Sequence, residues 1–378
     1  MDLDRIREWL YSEALPLWAE TGIDGTYGGF CEGLDLEGRP MTGAAKRLRA
    51  QARQIYVYSH AAVLGWDGPA LETAGAGYEF MTRHYWHADG GWIFSAERAG
   101  NPLDRRRDAY EQAFALLALA WYYRASGEEA ALAWVARTLD FLDQRLGDPV
   151  HGRYREYVPE TPSKRRQNPH MHLFEAVLAL NEATGEDAYL DRVRSLLDLL
   201  DARFVDRETG TLGEFFTEDW SPAPGIEGRQ REPGHHYEWV WLLDQYRRIG
   251  GEDGTHARAA GLYQFAENAG TDPADGLAFD MVLDDGTVFA ETKRLWPQTE
   301  ALKAQLVESE SGGRPGAWGR AEALLTAIFA RYLSLGPGIW HDQLGAGGTA
   351  IADHVPASTF YHLFVAFSEC LRLGRDQH

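Results

Sequence analysis

Four stretches of this chain are apolar on nearly every side: AFALLALAW from Ala113, HLFEAVLALNEA from His172, YEWVWLLDQY from Tyr237 and FYHLFVAFSE from Phe360. A helix that is apolar all round lies buried among other elements. Each stretch follows a long loop rich in glycine and aromatic residues. Short breaks, such as Gly65-Trp66-Asp67-Gly68 and Thr184-Gly185, join other neighbouring segments. Hydrophobic periodicity predicts helices over approximately 2–20, 43–65, 68–86, 105–126, 128–146, 168–184, 186–204, 233–250, 252–270, 296–309, 315–334 and 356–374.

The long loops recur. A glycine followed two or three residues later by an aromatic marks each one: Gly28 (to Phe30), Gly90 (to Trp92), Gly152 (to Tyr154), Gly213 (to Phe215), Gly276 (to Phe279) and Gly338 (to Trp340). The gaps are 62, 62, 61, 63 and 62 residues. A fixed period along the whole chain is the mark of a repeated supersecondary unit. Two helices of roughly 16–20 residues and about 20 residues of connection fill it. Six such hairpins close into an all-α (α/α)6 barrel, the apolar helices inside and their partners outside. No unit of a closed ring buries its apolar face alone, so residues 1–378 are expected to form one domain.

The first turns of the inner helices break the apolar pattern. They read RLRAQARQ, RRRDAYEQAF, RRQNPHMHLFEA, REPGHHYEW, RLWPQTEAL and PASTFYH. All follow the same kind of loop, so all lie at one end of the ring. The expected result is a funnel lined by Arg47, Arg53, Asp108, Tyr110, Gln112, Asn168, His170, His172, His235, His236, Glu238, Trp296, Gln298, Glu300, Ser358, Thr359 and His362, a concave site with convergent polar groups.

A net charge of −20, spread along the chain, argues against nucleic acid and anionic membranes as partners. Two cysteines, Cys31 and Cys370, support neither a disulfide scaffold nor a cysteine-rich zinc site. The charged N-terminus lacks a signal-peptide core, and no stretch approaches 18 uninterrupted apolar residues. A cytoplasmic protein, monomer or homo-dimer, is expected.

Histidine gives and takes protons near neutral pH. His235 and Glu238, at i and i+3, share a helical face, where a carboxylate fixes a tautomer and raises basicity. His170 and His236 are expected to cap or pack instead. A metal site is the rival use of these groups, but the tight H-E-x-x-H spacing is absent. Trp296, Gln298 and Glu300 offer a stacking ring, an amide and a carboxylate, a set that suits a sugar. Pro297 at a helix start with flanking core packing is the plainer use of the same segment, and Arg53 could equally be a buried structural arginine. No P-loop, dinucleotide fingerprint or nucleophile elbow is present.

At these residues the chain resembles the N-acylglucosamine 2-epimerase superfamily. The matches run through every repeat: GGF with Lys46, Gln51 and Arg53; Asp108 to Phe114; Asn168 to Ala176; Pro233 to Trp239; Trp296 to Glu300; and Ser358 to His362. Gln112 stands where many relatives carry histidine. The resemblance implies an (α/α)6 barrel acting on a small monosaccharide without metal or redox cofactor. It implies Arg53 as the enediolate-stabilising arginine, Asn168 and His172 as a sugar-binding pair, and His235 with Glu238, and His362, as catalytic. Tyr110, Trp296, Gln298 and Glu300 complete the expected substrate-binding set. The mannose isomerase branch is the nearest in pattern.

The mechanism expected from that chemistry opens the sugar ring with one imidazole and removes the C2 proton with a second. Arg53 stabilises the resulting cis-enediolate. Proton return to C1 gives a ketose; return to the other face of C2 gives an epimer, as in the cellobiose 2-epimerases. A sulfoquinovose isomerase, an (α/α)6 glycoside hydrolase using Glu238, Glu300 or Asp108, and a non-enzymatic sugar-binding barrel are the alternatives.

Overall fold

The computed structural model describes residues 1–159, 163–206, 208–251 and 255–375. The chain opens with α1 (Leu3–Arg7) and α2 (Leu15–Thr21), fused into one helix by a wide π turn over Glu8–Ala14. There follow α3 (Leu48–Val63), α4 (Ala70–His84), α5 (Ala109–Ser126), α6 (Glu129–Phe141), α7 (Asn168–Thr184) and α8 (Ala188–Leu199). The last five are α9 (Pro233–Arg248), α10 (Thr255–Asn268), α11 (Leu295–Glu310), α12 (Ala317–Ala327) and α13 (Phe360–Arg375). The first three residues of the helix expected over 252–270 lie outside the described residues.

The inner helices pack α3 on α5, α5 on α7, α7 on α9, α9 on α11 and α11 on α13; α13 returns to α3 and closes the ring. Outside them, α4, α6, α8, α10 and α12 each pack on the inner helix before them, and α1 packs on α13. This is the expected (α/α)6 barrel. Its inner helices are buried almost throughout, as their unbroken apolar sequence demands.

Several inner helices start later than the pattern predicts, because the preceding residues pair as short strands. Lys46–Arg47 pairs antiparallel with Ser95–Ala96, Arg107–Asp108 with Tyr157–Val158, and Arg165–Arg166 with Phe215–Phe216. Gln230–Arg231 pairs with Met281–Leu283, and Lys293–Arg294 with Gln343–Leu344. Finally Gly33–Asp35 pairs with His354–Pro356, so the loops form a closed circuit above the helices.

In five of the six repeats one side chain ties the loop to the helix it feeds. Gln51 accepts from Phe30 N–H and donates to Phe30 O, both at 2.7 Å. Gln112 does the same with Trp92, both at 2.8 Å. Gln298 does so with Ala278, at 2.7 and 2.9 Å. In the third and fourth repeats, Nε2 of His170 accepts from Tyr154 N–H at 3.3 Å, and Nε2 of His236 from Leu212 N–H at 3.0 Å. Buried backbone groups must be paired, and these side chains pair them. Gln112 and Gln298 therefore do not line the funnel, contrary to the sequence expectation. His170 and His236 pack, as expected; burial holds them down to about 3 and about 4, neutral and able to accept.

The loop marks also need one shift. The bridge Val205↔Leu212 is the counterpart of Gly147↔Tyr154, and Gly210 has φ of 70°. Gly210, not Gly213, is thus the turn glycine of the fourth repeat. Its left-handed conformation is what selects glycine there.

Candidate active site

The N-terminal ends of the inner helices surround a cavity of about 400 Å³. Of the expected residues, Arg47, Arg53, Tyr110, Asn168, His172, His235, Glu238, Trp296, Ser358, Thr359 and His362 line it. Glu300 sits behind His362, and Gln298 and Asp108 are not in the wall. Arg49, Glu232, Arg294, Asp342 and His354 line it as well and were not anticipated.

Three imidazoles of the wall share one arrangement. His235 Nδ1 lies 2.9 Å from Glu214 Oε2, His172 Nδ1 3.1 Å from Glu175 Oε2, and His362 Nδ1 2.7 Å from Glu300 Oε1. In each case Nδ1 is held by a carboxylate and Nε2 is left for the cavity. Glu175 also accepts from the Tyr361 hydroxyl, and Glu300 Oε2 lies 2.6 Å from Lys303 Nζ. The partner of His235 is Glu214, from the preceding loop, rather than Glu238 of its own helix.

Electrostatics separate the three rings. Burial disfavours the charged form of His235, but Glu214 and Glu232 outweigh it and raise the ring to about 9. For His172, burial prevails over Glu175, and Arg53 and His235 add repulsion, bringing it to about 4. Burial, with Arg53 and Lys303 nearby, holds His362 well below its ordinary value. At neutral pH, then, His235 is charged and the other two are neutral. Glu238 is driven well above the carboxylate range by burial and by Glu300. Neither of its oxygens has a hydrogen-bond partner among the described residues, and Oε1 lies 3.9 Å from His172 Nδ1.

Arg53 crosses the floor of the cavity. It donates to Tyr110 Oη at 2.9 Å and to Ser358 O at 3.2 Å, and lies 4.2 Å from the Phe114 ring centroid. Trp296 stands between two of the histidines, its ring centroid 5.1 Å from that of His235 and 5.6 Å from that of His362. Asn168 keeps a buried side-chain oxygen unpaired among the described residues.

Among the described residues three sets could hold a cation, each with ligand atoms within 4.8 Å: His172, Glu175 and Glu238; Glu214, Glu232 and His235; Glu238, Glu300 and His362. In the second, Arg294 already donates to Glu232 at 3.1 Å, and in the third Lys303 already neutralises Glu300. A bound ion would compete with these internal cations.

Glu214 has a signal in the sequence once the repeat is aligned. Four residues beyond the turn glycine in five of the six repeats stand Glu32, Glu156, Glu214, Asp280 and Asp342; the second repeat has Phe94 there. Each faces the start of an inner helix: Glu32 binds Arg47, Glu156 Arg166, Asp280 Arg294 and Asp342 Thr359.

Residues 28–366 match the family model of N-acylglucosamine 2-epimerase. The chain belongs to the N-acylglucosamine 2-epimerase family. A mannose-6-phosphate isomerase of Rhizobium meliloti (strain 1021) is 38% identical over 96% of each chain. A D-mannose isomerase of Marinomonas mediterranea is 25% identical over 73% of each. Among solved structures, cellobiose 2-epimerase from Bacillus thermoamylovorans B4167 superposes with a TM-score of 0.90 at 21% identity, covering 98% of each chain. A D-mannose isomerase superposes at 0.88 and 22%, covering 98% of this chain and 97% of that one. The protein is an enzyme of the sugar isomerase and epimerase class. No helix among the described residues is long and apolar enough to cross a membrane.

Proposed function

We propose that this enzyme is an aldose–ketose isomerase interconverting D-mannose and D-fructose through a cis-enediolate. One arrangement carries it: two imidazoles flank Trp296, each with Nδ1 on a carboxylate, in surroundings that push their pKa values apart, His235 upward through Glu214 and Glu232 and His362 downward through burial and Arg53. A pair of titratable groups whose environments push them apart supplies an acid and a base.

His235, acting as acid, gives a proton to O5 as the C1–O5 bond breaks, and takes up the O1 hydroxyl proton as C1 becomes the aldehyde, so the imidazolium is restored. His362, acting as base, takes the C2 proton of the open-chain aldose. The C–H electron pair forms C1=C2, and the charge develops on O1, where Arg53 stabilises it. The hydroxyl proton of O2 passes to O1. His362 returns its proton to C1, and C2 becomes the ketose carbonyl. Glu214 and Glu300 act through the imidazoles, as positioning residues. His172, Asn168, Tyr110 and Trp296 hold the sugar, and Glu238, protonated, donates to it. Gln298 leaves the substrate-binding set for the loop tether. No step requires a metal or redox cofactor.

The sugar is uncharged in this reading. Among the wall arginines, Arg47 binds Glu32, Arg49 lies 3.5 Å from Glu111 and Arg294 binds Glu232 and Asp280. Of the four wall arginines Arg53 alone has no carboxylate partner among the described residues, and this reading assigns it to the enediolate oxygen rather than to a phosphate. The relatives named cellobiose 2-epimerase keep a C2-epimerase as the second possibility, because His235 and His362 supply a group on either side of the site. We read residues 1–378 as one catalytic domain, supported by the extent of the family match and the closure of α13 on α3, and place it in the cytoplasm. Incubating the enzyme with D-mannose should give D-fructose by NMR, with higher kcat/KM than on mannose 6-phosphate. Glucose as the main product, or a strong preference for the phosphate, would overturn this assignment.

A further inference from the structure

A second cavity, of about 260 Å³, opens at the other end of the ring. It lies between the C-terminal halves of α3, α5, α7, α9 and α13 and shares no wall residue with the first. The reaction proposed above does not use it.

Its chemistry is that of a recognition site. The His60 and Trp121 rings form one wall, their centroids 4.0 Å apart. The indole N–H of Trp241 and the amide nitrogen of Gln245 are buried and have no partner among the described residues. They are four residues apart on α9, hence on one face. Unpaired buried donors are costly and are usually satisfied by water or ligand. Arg124, Arg248 and Arg372 in the wall are balanced by Glu175, Glu182 and Glu369. Burial holds His60 down to about 3, so it adds no charge at neutral pH. Balanced charge selects against an ion. Open donors, carboxylate acceptors and an aromatic face suit hydroxyl groups on a ring with an apolar C–H face. The volume falls below the usual range of roughly 300–1,000 Å³ for ligand pockets, which limits the occupant to one small ring.

The cavity also touches the supports of the catalytic imidazoles. Glu175 lines it and holds His172 Nδ1 at 3.1 Å. Lys303 Nζ lies 3.9 Å from the Trp241 ring centroid and 2.6 Å from Glu300, which holds His362. We propose that this opposite mouth is a second binding site, for one small uncharged polyhydroxylated ring, and that its occupant changes turnover through Glu175 and Trp241.

The probe is myo-inositol, a cyclic polyol with no carbonyl to isomerise. Saturation-transfer NMR on the intact enzyme should show it bound, with the signal surviving excess D-mannose. At saturating D-mannose it should lower kcat by about twofold or more. Gln245→Leu removes a donor, and Ala179→Leu fills the cavity. Each should weaken inositol binding by about tenfold, the scale of one lost hydrogen bond, with kcat in its absence retained. Should Ala179→Leu fail to fold, Gln245→Leu decides. No transfer signal, displacement by mannose with purely competitive kinetics, or unchanged binding in the folded variants would overturn the site. Binding with unchanged kcat would overturn the coupling. The NMR arm needs no turnover, so it stands apart from the identity of the substrate.

Discussion

The imidazole of His235 is held by Glu214, Nδ1 to Oε2 at 2.9 Å, across a separation of 21 residues. That carboxylate, with Glu232, keeps the ring charged to about pH 9 against the cost of burial. As the acid, His235 must be protonated, so activity is lost as pH rises through its pKa. Glu214→Gln removes the largest favourable charge. The alkaline limb of the kcat/KM–pH profile should therefore move toward neutrality, and kcat should fall about tenfold or more. An unmoved limb would show that another group sets it.

His235→Asn and His362→Asn should each lower kcat by about a hundredfold or more, the scale of a positioned acid or base, with little change in Tm. The loop tethers should behave in the opposite way. Gln298→Leu strands the N–H and C=O of Ala278, at about 1–3 kcal/mol for each buried group left unpaired. Its Tm should drop while kcat per folded molecule is largely kept. Steady-state kinetics beside thermal unfolding separate the two classes; normal turnover in His362→Asn would contradict the assignment.

The same contrast shows what the sequence could reveal. The barrel was legible because closure by six equal repeats leaves both a period and fully apolar inner helices. Individual directions at the helix starts were harder. Trp296 faces the cavity and Gln298 does not, since residues two apart on a helix point apart; His172 and His170 differ for the same reason. Glu214 is hidden in the sequence because its contact crosses from loop to helix, and because Gly213, two residues before Phe215, fits the glycine–aromatic mark while the turn itself uses Gly210. With that mark moved, Glu214 falls into phase with Glu32, Glu156, Asp280 and Asp342.

Prolonged dialysis against EDTA should leave activity intact. The acid–base groups suffice for the proposed steps, and Lys303 and Arg294 already occupy the cation's role at two of the three carboxylate–imidazole sets. A reversible loss of activity, restored by a divalent metal, would contradict this.

The cis-enediolate and the fate of its proton are tested most directly by running D-mannose in D2O. If His362 carries hydrogen from C2 to C1, the proton resides on an imidazole and exchanges with solvent. Deuterium should then appear at C1 of the fructose formed, in a single stereochemical position. Deuterium chiefly at C2 of an aldose product, with little ketose, would contradict the isomerase and leave a C2-epimerase on the same histidines.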